Sequence, residues 1–98
     1  MSALFVVPST KRAELDHALA DDLVGRQSHK VREAASLGGP AGQLYVMVAG
    51  TPEGVRRAEE LLESVGTRLP KQDAEELERK FREEDEAASA GMGLVFSD

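Results

Sequence analysis

The most constraining stretch of this sequence is LYVMVA, residues 44–49, six consecutive positions without a charge. A strand with one wet face alternates apolar and polar residues, because successive side chains point to opposite faces. Here both faces ask for cover. Gly50, Thr51, Pro52, Glu53 and Gly54 follow at once. Thr51 is of the type that caps a helix, and Pro52 suits a first helical position, where a missing N–H costs nothing. Val55, Ala58, Leu62 and Val65 then recur along one helical face, with Leu61 beside them. The stretch thus predicts a buried strand running straight into an amphipathic helix.

A second doubly apolar run, ALFVV at residues 3–7, is closed by Pro8 and predicts another buried strand. Ser9 or Thr10 then caps a helix carrying Leu15, Ala18, Leu19 and Leu23, with Gly25 as its stop. Residues 28–37 mix polar and apolar positions. They read as an edge strand whose charges discourage sheet-to-sheet aggregation, and a short helix through KVREAASL is the other reading. The glycines and proline of residues 38–42 supply a turn between strands.

Beyond Pro70, Asp73 and Glu76 approximate a capping box for a very charged helix at about 73–90. Glu75–Arg79, Glu76–Lys80 and Glu78–Arg82 stand four apart with the acid first, the better orientation. Its apolar stripe is thin: Ala74, Leu77, Phe81 and Ala88. Gly91 closes this helix, and GLVFS reads as a last short strand.

The order β-α-β-β-α-(α)-β predicts an α+β, ferredoxin-like single domain over residues 1–98. Right-handed crossovers make its sheet four-stranded and antiparallel, with helices on one face and the first and third strands central. The extra charged helix precedes the last strand in this reading. The order resembles the ferredoxin-like regulatory modules of the ACT type, which often dimerise and bind small effectors between copies. Residues 42–66, GQLYVMVAGTPEGVRRAEELLESVG, also look like the strand–Gly–helix segment of bacterial microcompartment shell proteins, which form hexamers. The carriers of that likeness, Gly50, Val55 and Ala58, suit any strand packed on its following helix. The first strand lacks the acidic opening of the shell proteins, so fold and not function is what the likeness implies.

Composition narrows the function classes. With no cysteine, disulfides, thiolate nucleophiles and cysteine-based metal sites are excluded. A formal net charge of −6 repels phosphate backbones at long range and weighs against nucleic acid. MSALFVVPSTKR has no basic lead, and its apolar run is too short for a signal sequence or a membrane span. A cytoplasmic protein with no membrane contact is the expectation. Nothing in the sequence asks for a cofactor.

Alternation sends Leu44, Val46 and Val48 to one face of the third strand, and Tyr45, Met47 and Ala49 to the other. On the first strand, Leu4 and Val6 oppose Ala3, Phe5 and Val7. With helices on one face only, the other is an apolar patch of the kind that marks a binding surface. The expectation is an oligomer interface made by Phe5, Val7, Tyr45, Met47 and Ala49, with a second copy as partner. The charged helix folding across that face is the competing arrangement. Phe5 and Tyr45 also offer a platform for stacking RNA bases, though without the aromatic and basic pattern of RNA-recognition motifs.

Arg26, His29, Lys30 and Arg32 form the local surplus of positive charge, and the GTPEG turn around Thr51 presents a helix N-terminus. Together they are candidates for binding a small anionic effector, or for the pocket of a small enzyme acting on an anion. Glu53 in the same turn opposes an anion, and no phosphate-loop lysine is present. His17 and Asp21 lie one helical turn apart, and two ligands do not make a metal site. With no nucleophile–base motif around either histidine, the sequence leans away from catalysis. The resulting expectation is a small homo-oligomeric regulatory or assembly module.

Overall fold

In the computed structural model, the backbone is described for residues 1–96 and the side chains for residues 1–83. In chain order the elements are β1 (Ser2–Pro8), α1 (Arg12–Leu19), β2 (Ser28–Glu33), β3 (Gln43–Ala49), α2 (Pro52–Leu62), β4 (Thr67–Arg68) and α3 (Lys71–Phe96). Single 3-10 turns lie at Ser9–Lys11, Val24–Arg26 and Ala34–Leu37. The strands form one open sheet of order β2-β3-β1-β4, and every neighbouring pair is antiparallel. The fold is α+β, and the two apolar strands are central, as the sequence required.

Register assigns the faces. Phe5 lies opposite Val46 and Val7 opposite Leu44, while Leu4 lies opposite Met47 and Val6 opposite Tyr45. Directly opposed residues share a face. Ala3, Phe5, Val7, Leu44, Val46 and Val48 therefore build one core with Leu15 and Ala18 of α1 and Val55, Ala58 and Leu62 of α2. On the opposite face Leu4, only 1% exposed, packs with Leu77 and with Phe81, itself 2% exposed. Leu37, Tyr45, Met47, Leu69 and Ala74 surround that second core.

Helices thus occupy both faces, which corrects the one-face expectation. The charged helix packs on Tyr45 and Met47, which is the competing arrangement given above. Its position in the chain is corrected too, since α3 follows the last strand instead of preceding it. The closing strand is Thr67–Arg68, two residues that pair with Val6 and Phe5 and are too few to show any alternation. The expected strand at GLVFS is corrected as well. Its residues 93–96 belong to α3, which runs through Gly91, and Ser97 lies outside the described residues. Ala87, Ala88 and Ala90 are strong helix formers, and no proline follows Pro70 to stop the helix.

α1 is shorter than its pattern suggests and has no side-chain cap from Ser9 or Thr10. Asp21 Oδ2 accepts hydrogen bonds from Leu23 N at 3.2 Å and Val24 N at 3.3 Å. This local bonding competes with the helix and turns the chain. Val24 is buried as a result, and Leu23 is left exposed. The ambiguous stretch is a strand through Glu33, followed by one 3-10 turn that Gly38 closes at φ 83°.

Two close approaches fix the remaining elements. At Gly66 a Cβ would collide with the Val6 carbonyl, so glycine lets the chain leave α2 and run beside β1. Arg68 Nη1 then lies 2.8 Å from Glu59 Oε1, tying β4 to α2. Among the described residues, no helix is long and apolar enough to cross a membrane.

Candidate functional site

The first three turns of α3 and the sheet beneath them enclose an open cleft of about 290 Å3. Asp73, Glu76, Leu77 and Lys80 recur at helical spacing, so one face of α3 presents all four to the cleft. Val6 and Tyr45 reach it together because they oppose each other across β1 and β3. Gln43, Pro40 and Leu69 complete the lining. The Tyr45 ring rests over Gly39, where there is no room for a Cβ, and this holds the 38–42 turn against the cleft wall. Lys80 Nζ donates to the Leu37 carbonyl at 3.4 Å, which anchors α3 over the same turn.

The cleft is mixed in chemistry. Val6, Leu69 and Leu77 give it an apolar floor, and Tyr45 an aromatic wall. Two carboxylates, one ammonium and one amide stand around the rim. Such a lining suits a small molecule with an apolar body and a charged group, positive charge being favoured by the excess of carboxylates. Among the described residues that line it, no nucleophile is paired with a base.

The residues expected to bind an anion are not gathered here or anywhere else. Arg26 Nη2 lies 3.3 Å from Asp22 Oδ2 at the surface. His29 lies opposite Val48 and so faces the α1 and α2 side. Lys30 and Arg32 lie opposite Met47 and Tyr45, on the α3 side. Arg32 Nη1 donates to its neighbour's carbonyl, on Val31, at 2.9 Å. Lys30 lines a shallow hollow with Met47, Glu78, Phe81 and Arg82, so an acid tempers the basic pair. Alternation along β2 splits the cluster between two faces.

Thr51 is the helix cap that its type implies, its Oγ1 accepting from Gly54 N at 3.1 Å. The amide end left over is already filled. Gln27 Oε1 accepts from Thr51 N at 3.0 Å, and Gln27 Nε2 donates to the Leu23 carbonyl at 2.9 Å. A neutral amide of the same chain thus sits where an anion would bind. Gln27 gives no sequence signal of this role, since nothing in its neighbourhood refers to a turn far along the chain.

The expected interface residues also divide. Phe5 and Val7 are buried beneath α1 and α2 and are not on the face that carries Tyr45, Met47 and Ala49. Alternation orders the faces within each strand, and the register between the strands sets Phe5 and Val7 apart from Tyr45. The same division separates Phe5 from Tyr45, which removes the shared platform needed for base stacking. Tyr45, Met47 and Ala49 are half-buried, the first two beneath α3.

Asp21 does not pair with His17. Its Oδ1 accepts from Arg57 Nη2 at 3.4 Å, in addition to the two backbone N–H bonds at Oδ2. Partial burial pushes its carboxyl pKa up, but the N–H of Val24, Arg57 and the N–H of Leu23 together hold it below the ordinary value. The Asp21 carboxylate in turn raises the Arg57 pKa. Among the described residues, no group of three or more His, Cys, Asp or Glu side chains is placed to hold a metal ion.

Comparison of the chain with protein-family models, with curated proteins and with solved structures finds no match.

Proposed function

We propose that this chain is a small ferredoxin-like regulatory module that acts by binding and not by catalysis. In this reading its ligand is a small molecule held between α3 and the sheet. The single observation behind it is the cleft in which Asp73, Glu76, Lys80 and Gln43 surround the apolar floor of Val6, Leu69 and Leu77. The ferredoxin-like description draws its support from the strand order β2-β3-β1-β4 together with the β-α-β-β-α-β sequence of its first elements.

The charge balance alters the effector first considered. The basic residues are dispersed and the α2 N-terminus is filled, so support shifts from a purely anionic ligand to one bearing a positive group. A thermal-shift panel of small amines, amino acids and organic acids tests this. A ligand at about 100 times its Kd adds roughly 2.7 kcal/mol, which raises the Tm of a domain this size by roughly 10 °C or more. The shift should vanish in Glu76→Gln and Leu77→Ser. A panel that leaves Tm unmoved, or shifts that survive both substitutions, defeats the proposal.

Self-association is the second reading, now through the sheet edges. Among the described residues, β2 has no strand on its outer side and β4 covers only two residues of β1. The apolar-face argument for a second copy no longer applies, because α3 covers that face. Light scattering distinguishes the readings: a mass above that of one chain supports self-association, and a monomer at micromolar concentration removes it.

A further inference from the structure

We draw no further inference here: the strongest candidate, the apolar groove between α1 and α2 lined by Ala13, His17, Ala18, Leu61 and Val65, is open to solvent and nothing in the structure shows what covers it.

Discussion

Gln27 Oε1 accepts the Thr51 N–H at 3.0 Å, so a side chain just before β2 closes the helix that begins after β3. The contact joins two segments that are distant in sequence and satisfies a donor that no residue of α2 reaches. Gln27→Ala should cost about 1 kcal/mol, the usual worth of such a bond, and Thr51→Ala a similar amount through its cap. Urea denaturation measures both. Because Thr51 Oγ1 also donates to Gln27 Oε1 at 3.4 Å, the double variant should lose less than the two single losses combined. Strict additivity would mean that the two side chains are not coupled.

Phe81→Ala should remove the largest anchor of α3 among the described residues at a cost of about 3–5 kcal/mol. Its effect should reach beyond stability, because Leu4, Tyr45 and Met47 lose their cover. Dye binding to exposed apolar surface and a rise in apparent mass are the expected readouts. If the variant keeps the parent's apparent mass and binds no dye, α3 is not what shields that face.

Gly66→Ala places a Cβ against the Val6 carbonyl, a backbone atom that cannot swing aside. Overpacking of this kind costs about 1–3 kcal/mol. Gly42→Ala is the informative contrast. A Cβ there meets nothing, yet φ is 82°, so its smaller penalty is conformational and not steric. Equal losses in the two variants would count against the collision.

Acid should weaken the Asp21–Arg57 tie. The Asp21 carboxyl pKa is lowered on folding from an ordinary value of 3.8. The folded state therefore holds this proton less readily than the unfolded one. Its contribution to stability is fully present above the unfolded pKa and fades as pH falls through the folded one. Stability measured between neutral pH and pH 3 should drop less steeply in Asp21→Asn than in the parent chain. Identical slopes would remove Asp21 as a source of acid sensitivity.

Much of the architecture was legible because it rests on local periodicity. The unbroken apolar character of residues 44–49 correctly required cover on both faces, and Thr51–Pro52 correctly opened a helix. What covers the second face was legible only as one of two arrangements, since among the described residues α3 commits Leu77, Phe81 and the smaller Ala74 to it. That Phe5 and Val7 lie away from the Tyr45 side was not legible, because alternation fixes faces within a strand but not between strands. Register does that, and it is a tertiary property. β4 escaped notice because two residues carry no period. The cleft escaped it because Gln43, Leu69 and Lys80 meet only after α3 has docked.

β1 is central to the sheet and apolar on both faces, yet it is made before every element that protects it. During synthesis it leaves the ribosome well ahead of β3, and β4 and α3 emerge later still. Until α3 arrives, Leu4 has nothing above it on its own face. Between the synthesis of β1 and that of α3, the nascent chain therefore carries a strand that cannot yet be buried on both faces, an interval open to aggregation.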